Sequence, residues 1–181
     1  MSLSVIIGPM FSGKSSRIMD LMSRYSALDT RVLLIKPTLD NRYVEGSVST
    51  HDGRQHPCLT VNKLQDASIY VSNQEVVIIE EAQFFADLVH YVSHWVHELG
   101  KNVYVVGLSG DAQMRPFGEM LDCIPLADRV EFLTALCLGC KGAAPFTHRY
   151  GVSSAGQTLV GGPDVYQALC RRCYLKADTH Q

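Results

Sequence analysis

The sequence predicts an α/β fold, a parallel sheet flanked by helices and followed by a small appended lobe. Three observations predict it. Short apolar runs at 3–7, 31–37, 76–79 and 103–108 alternate with stretches of helical periodicity, and strands of a buried parallel sheet read as continuous apolar runs of this kind. Between the first run and the first helical stretch stands the octapeptide Gly8-Pro9-Met10-Phe11-Ser12-Gly13-Lys14-Ser15. Near the C-terminus lie two identical pairs, Cys137-x-x-Cys140 and Cys170-x-x-Cys173.

Leu3-Ser4-Val5-Ile6-Ile7 is the first strand. It leads through the octapeptide into 14–28, where Ile18, Leu21, Met22 and Tyr25 recur at helical spacing. Strand, glycine loop and helix form the context that the P-loop pattern G-x-x-x-x-G-K-[ST] requires, and the octapeptide satisfies the pattern in full. The predicted sheet is therefore of the P-loop NTPase, RecA-like type. Gly8 and Gly13 can take positive φ and let the main chain close around a polyphosphate. The N–H groups and positive dipole end of the following helix face the anion. Lys14 reaches the terminal phosphates, and Ser15 places its hydroxyl on a Mg²⁺ that bridges phosphate oxygens. The plain alternative is a glycine-rich turn carrying a surface lysine.

Arg31 to Pro37 is a second buried strand ended by proline, and Thr38 to Thr60 reads as a long loop or hairpin, functional or mobile by its length. Val76-Val77-Ile78-Ile79 is a third strand and Val103 to Leu108 a fourth, with a helix from about 85 to 100 between them. On that helix Leu88, Val89, Val92, Trp95, Val96 and Leu99 line one side, and His90, His94, His97 and Glu98 the other. Three histidines at this spacing could hold a metal, but a solvated polar face opposite a core face accounts for them.

After Thr134 the chain turns to glycine, proline and polar residues with little periodicity. Two cysteine knuckles supply the four sulfurs of a closed tetrahedral zinc site, with no open position for catalysis. A redox dithiol, the competing reading, needs only one pair. The lobe is too poor in apolar residues to fold without its metal. Its middle stretch, 146–166, forms a loop tied at both ends and able to act as a lid, with Gly161-Gly162 the point where backbone approaches a ligand. Cys58 and Cys123 read as small core hydrophobes.

With 181 residues, 46% of them hydrophobic, the chain can bury a core of one domain plus an appendage, here a core at 1–133 and a zinc lobe at 134–181. A net charge of −2 offers no basic field for a nucleic-acid backbone, so no nucleic acid is expected as partner and a zinc-ribbon nucleic-acid-binding ATPase is disfavoured. No apolar run approaches the roughly 20 residues of a membrane helix. The first residues read as core strand and not as a signal peptide, so no membrane partner and a cytoplasmic location are expected.

At the end of the third strand come Glu80 and Glu81, at the carboxyl edge where open α/β sheets bind ligands. One would orient Mg²⁺ through its water shell, and the other would accept a proton from an attacking hydroxyl. Taken alone, adjacent acids also begin solvated helices.

The ordered motifs resemble the thymidine kinases of the cytosolic and viral type, P-loop enzymes with a zinc-bearing lasso domain. They are Gly8 to Ser15, Lys36 followed by Asp40-x-Arg42-Tyr43, Thr50-His51-Asp52, Glu81-x-Gln83-Phe84-Phe85, Arg115-Pro116-Phe117-Gly118, Leu133-Thr134-Ala135 and Gly161-Gly162-x-Asp164-x-Tyr166 between the cysteine pairs. The resemblance spans nearly the whole chain. It implies transfer of the ATP γ-phosphoryl group to the 5′-hydroxyl of thymidine or deoxyuridine, with Glu81 as catalytic base and Ser15 and Glu80 at Mg²⁺. It implies a nucleoside pocket of Met10, Phe84, Leu108, Phe117 and Tyr166, with lasso groups at Val160, Gly161, Gly162 and Asp164. It also implies a homotetramer and feedback inhibition by dTTP. Asp40 and Arg42 are candidate loop contributors near the phosphates or, alternatively, a surface ion pair. The chain departs from the family pattern at Glu80, where Asp is usual, at Ala112, where an aromatic residue is usual, and at Ser109, where an acid or amide is usual. These departures motivate the alternative of a catalytically degenerate homologue that binds nucleoside or nucleotide in a regulatory or structural role.

Overall fold

Alternation along each strand decides the layering of the sheet. In β1 (Ser2–Gly8) Leu3, Val5 and Ile7 join one apolar cluster while Ile6 joins the other, because successive side chains of a strand point to opposite faces. The same division splits Ile35 from Leu34 in β2 (Val32–Pro37). The computed structural model describes residues 1–39, 47–49, 55–151, 156–157, 159 and 161–179. Asp40, Arg42, Tyr43, Thr50, His51, Asp52 and Val160, singled out above, lie outside the described residues.

After α1 (Lys14–Ser26) and β2 come an antiparallel hairpin of β3 (Ser47–Ser49) and β4 (Gln55–Pro57), then β5 (Leu59–Val61), α2 (Leu64–Val71), β6 (Val76–Ile79) and α3 (Leu88–His97). β7 (Asn102–Leu108) and β8 (Arg129–Phe132) complete a six-stranded sheet in the order β5-β2-β6-β7-β1-β8. Every pairing in it is parallel, with Val5 opposite Val105 and Ile35 opposite Ile79. One face packs on α2 and α3 through Leu64, Ala67, Leu88, Val92 and the fully buried Trp95. The other face packs on α1 through Ile18, Met19 and Leu21.

Three departures from the sequence reading have physical reasons. Leu59–Val61, read as the end of a long loop or hairpin, is a parallel edge strand with Leu59 opposite Ile35, too short to register as a periodic run. Arg129–Phe132 alternates charged and apolar residues because it is the opposite edge of the sheet, exposed along most of its length. The α3 helix begins at Leu88 and not near 85 because the chain before it is spent on a 3₁₀ turn at Ala82–Phe84 and an extended Phe85. Asp87 then caps the neighbouring helix, its carboxylate accepting from the N–H groups of Leu64 at 3.2 Å and Gln65 at 3.1 Å. On the outer side of α3, Glu98 Oε2 lies 3.0 Å from His94 Nδ1 and Ser93 Oγ lies 3.2 Å from His97 Nδ1. The three histidines form no metal-ligand cluster among the described residues.

The C-terminal lobe has two small hairpins, β9 (Ala135–Leu136) with β10 (Ala143–Ala144) and β11 (Phe146–Arg149) with β12 (Tyr166–Leu169), followed by α4 (Arg171–Asp178). The stretch 146–166, expected as a loop, therefore starts and ends in paired strands, with Arg149 opposite Tyr166. The lobe holds an apolar cluster of its own around Ala135, Ala144, Ala168, Leu169 and Tyr174. Its polar ties to the loops at the carboxyl end of the sheet include the Met10 N–H donating to Thr147 Oγ1 at 2.9 Å and the Tyr174 hydroxyl donating to Ala112 O at 2.6 Å. Among the described residues, no helix is long and apolar enough to cross a membrane.

Candidate active site

The octapeptide connects the end of β1 to the N-terminus of α1. Two of its residues adopt left-handed backbone, Phe11 at φ 65° and Gly13 at φ 83°. Gly8, expected to supply positive φ, serves a different purpose. A Cβ there would lie 2.6 Å from Ser12 Oγ and 2.7 Å from Leu133 O, so its missing side chain is what lets the loop close. Ser12 Oγ donates to Pro9 O at 2.8 Å and fixes the loop's curvature. Gly13 caps α1 without a side chain, and no acid stands in the first turn, so the positive helix end is left facing the loop. Lys14 folds across the same concavity, donating to Pro9 O at 2.7 Å and Gly8 O at 3.3 Å.

The two acids at the end of β6 diverge. Glu80 is buried, and Ser15 Oγ donates to its Oε1 at 2.7 Å. Glu81 sits in left-handed backbone, φ 50° and ψ 42°, a conformation that costs a residue with a Cβ roughly 1–2 kcal/mol. Strain of that kind persists where the surroundings impose it, commonly at functional sites. The Glu81 side chain lines a cleft that adjoins the loop at Met10.

Gln83 holds that side chain in place. Its Nε2 donates to Glu81 Oε2 at 2.5 Å, and its Oε1 accepts from the Leu108 N–H at 3.1 Å. Two glycines make room for it. A Cβ on Gly107 would lie 2.5 Å from Gln83 Oε1, and one on Gly118 (φ 55°) would overlap the Gln83 carbonyl.

The cleft encloses about 530 Å³ of space open to solvent. It brings together Met10, Phe84, Leu108, Phe117, Gly161 and Tyr166, all expected from the sequence, with Glu81. Phe84 and Phe117 meet edge to face at 5.3 Å between ring centroids, a favoured aromatic geometry. The Tyr166 hydroxyl donates to Leu159 O at 2.6 Å. Gly162 and Asp164 are not in the cleft wall. The Gly162 N–H donates to Asp164 Oδ1 at 3.2 Å, closing a turn that precedes β12. Gly161 lines the cleft, but its missing Cβ makes room for Val165.

Sequence reasoning missed five residues of the wall: Gln83, Asp111, Thr147, Gln157 and Leu159. Gln83 carried a local signal, two positions after an acid at a strand end. The others carried none, since only the packing of the lobe against the loop after β7 brings them there. Ala112, where the resemblance leads one to expect an aromatic residue, presents a methyl group to the same wall. Ser109 lies just past the carboxyl end of the central strand β7, its N–H donating to Gly8 O at 3.2 Å.

The four paired cysteines converge as expected, with all their sulfurs within 4.8 Å of one another. Cys140 and Cys170 sulfurs are 3.6 Å apart, close to the edge of about 3.8 Å that a tetrahedron with metal–sulfur bonds of about 2.3 Å requires. The Cys170 N–H donates to Cys137 Sγ at 3.2 Å. Burial pushes the Cys137 thiol up, but backbone N–H donation from Cys170, Cys140 and Gly139 outweighs it and brings it down to about 6. The Cys170 thiol is lowered chiefly by the Cys173 N–H. Thiolates favoured in this way at Cys137 and Cys170 are the form that binds metal, whereas hydrogen bonding with the Cys170 side chain, then burial, push the Cys173 thiol up to about 12. Cys123 is fully buried, its thiol pushed up to about 12 by burial and by the Glu119 and Asp122 charges. Cys58 is half-buried against the α1-side cluster.

A glycine loop between strand and helix, a buried acid on the loop's serine and a second acid aimed into an adjoining cleft define a P-loop phosphotransferase. A family model described as thymidine kinase matches residues 1–174. The chain is 40% identical over 173 residues to a thymidine kinase of Monkeypox virus and 39% identical over 173 residues to one of Variola virus, covering 96% of each chain in both cases. It is 38% identical over 174 residues to a thymidine kinase of Yaba monkey tumor virus, covering 96% of this chain and 94% of that one. The chain belongs to the thymidine kinase family and is a kinase. Nothing in these findings supports the degenerate alternative.

Proposed function

We propose that the protein transfers the γ-phosphoryl group of ATP to the 5′-hydroxyl of thymidine, and of deoxyuridine, with Glu81 as general base. The observation that carries this reading is the divergence of the adjacent acids. Glu80 is bonded to the P-loop serine and Glu81 lines the cleft, so the phosphate cradle and the nucleoside cleft meet at one dipeptide.

Lys14 and the main chain of 8–15 would hold the terminal phosphates. Ser15 and Glu80 would hold Mg²⁺, which supplies charge neutralisation on the phosphate oxygens. The 2.7 Å contact between these two side chains fits that role; the extra methylene of Glu80 does not prevent it from reaching Ser15. Phosphoryl transfer depends on positioning and electrostatics, and Glu81 would accept the 5′-hydroxyl proton.

The base would lie among Met10, Phe84, Leu108, Phe117 and Tyr166, with lasso main chain at Val160 to Gly162 reading its Watson–Crick edge and Asp164 bracing that turn. Asp40 and Arg42 would add contacts beside the phosphates. The four cysteines would hold a structural zinc ion, a reading supported by their convergence to within 4.8 Å of one another. Met10 belongs to both the P-loop and the cleft wall, so a molecule joining thymidine to a triphosphate would span both sites, which supports dTTP as inhibitor. A homotetramer is supported by the edge strand β8, where Val130 and Phe132 stand 45% and 52% exposed. A cytoplasmic location belongs to the same reading.

Steady-state phosphorylation tests the reaction. Zinc-loaded protein with Mg·ATP should turn over thymidine and discriminate against deoxycytidine, and Glu81→Gln should lose about 10²–10⁴-fold in kcat. Absence of thymidine turnover in the folded wild type would overturn the reading. Light scattering tests the assembly, and Phe132→Asp should lower the particle mass.

A further inference from the structure

The loop after β7 is organised around one carboxylate. Asp111 is 5% exposed. Its Oδ1 accepts from the N–H groups of Gln113 at 2.9 Å and Arg115 at 2.8 Å, and its own N–H donates to Arg115 O at 2.9 Å. One oxygen therefore satisfies the loop. The other, Oδ2, faces away from it and accepts from Gln157 Nε2 at 2.9 Å, 46 positions later in the chain. The same nitrogen donates to Pro116 O at 2.9 Å, so a single exposed amide reaches both ends of the 111–116 loop.

Both residues line the cleft. From Gln157 the wall continues through Leu159, held by the Tyr166 hydroxyl, to Gly161. The loop side of the wall is Ala112, whose small side chain leaves that part of the contact to the polar pair. Hydrogen bonds to a carboxylate are the stronger kind, and this one joins two parts of the chain that Tyr174 also ties through its bond to Ala112 O.

We infer that Asp111 and Gln157 are a positioning pair that holds Leu159 and Gly161 of the cleft wall at the distance from the core loop that a nucleoside needs, and so set nucleoside affinity without touching the reacting atoms. The inference rests on the nucleoside reading of the cleft proposed above. It goes beyond that reading in assigning part of the affinity to a polar clasp in the cleft wall beside the aromatic side chains.

The test uses Gln157→Leu, which keeps the stem and removes both donors, and Asp111→Asn, which keeps the acceptor facing the loop but turns an N–H group toward the Gln157 amide. Flipping that amide would recover the contact only by setting its oxygen against Pro116 O. Each variant should raise the thymidine KM about tenfold with kcat and the ATP KM within about twofold, and the double variant should be no worse than either single change. In the protein without substrate, amide hydrogen exchange across 161–166 should be faster in Gln157→Leu than in wild type. An unchanged thymidine KM, a fall confined to kcat, or strictly additive losses would overturn the pair. If the wild type fails to phosphorylate thymidine, the functional reading fails by itself. The exchange measurement then decides the clasp alone, and unchanged exchange in Gln157→Leu overturns it.

Discussion

The Gln83 side chain offers the most direct test of how Glu81 is aimed. Gln83 is 3% exposed and makes one contact with each end of its amide, donating to Glu81 at 2.5 Å and accepting from the Leu108 N–H at 3.1 Å. Gln83→Glu preserves shape and keeps an acceptor for Leu108, but replaces the donor by a second carboxylate. Two unit charges about 3 Å apart at an effective dielectric of about 20 repel by about 5 kcal/mol. The pair relieves this by binding one proton shared between the two carboxylates or by driving Glu81 from its position, and either response weakens Glu81 as the proposed base.

Gln83→Leu separates aim from charge. It forfeits a hydrogen bond to a charged group, about 1.5–3 kcal/mol, and leaves the Leu108 N–H without its acceptor, about 1–3 kcal/mol. For a chain of this size each kcal/mol lowers Tm by about 2–4 °C. The expected outcome is a fall in kcat of about 10²-fold or more in both variants, with the ATP KM unchanged. Melting should drop by about 5 °C or more in both variants. The assays are initial rates against each substrate and a thermal melt of each protein. A Gln83→Glu enzyme with wild-type kcat would refute the role given to this side chain.

Three further outcomes follow from the geometry. Cys170→Ser, or treatment with a chelator, should abolish thymidine binding while circular dichroism of the sheet core persists, because the four cysteines of the proposed zinc site all lie in the lobe and none in the sheet; a chelator-treated protein with full thymidine affinity would contradict this. Gly8→Ala places a Cβ 2.6 Å from Ser12 Oγ and 2.7 Å from Leu133 O, so the ATP KM should rise about tenfold or more by titration, with a smaller change in thymidine affinity. Cys123, with its thiol pushed up to about 12, should resist alkylation at pH 8 in the native protein and react once it is unfolded. Because its folded value is raised, its contribution to stability is complete below the ordinary thiol value of 9.0 and is lost as pH climbs from there toward about 12. A melt series across that window measures the loss.

The sequence by itself determined the features whose chemistry is local. The P-loop needs a strand, a few small residues and a helix N-terminus in succession, and all of them occupy Leu3 to Ser26. The four central strands are buried on both faces, which leaves an apolar run that any reading finds. Cysteine pairs announce themselves because a metal knuckle is built from residues three apart. Composition and motif order were enough to indicate a kinase of this family.

Tertiary structure alone decided the rest. The edge strands Leu59–Val61 and Arg129–Phe132 take their conformation from a neighbour and not from their own periodicity. That Gly8 is required for close approach follows from its packing against Leu133 and Ser12, and that Phe11 takes the left-handed backbone is likewise seen only in the folded loop. Glu80 and Glu81 are neighbours in sequence with opposite destinations, and the backbone turn at Glu81 that separates them has no signature in residue type. Asp111, Thr147 and Gln157 meet across the cleft from three separate stretches of chain. A contact between distant residues depends on where two backbones are brought by everything packed between them, and no local pattern encodes that distance.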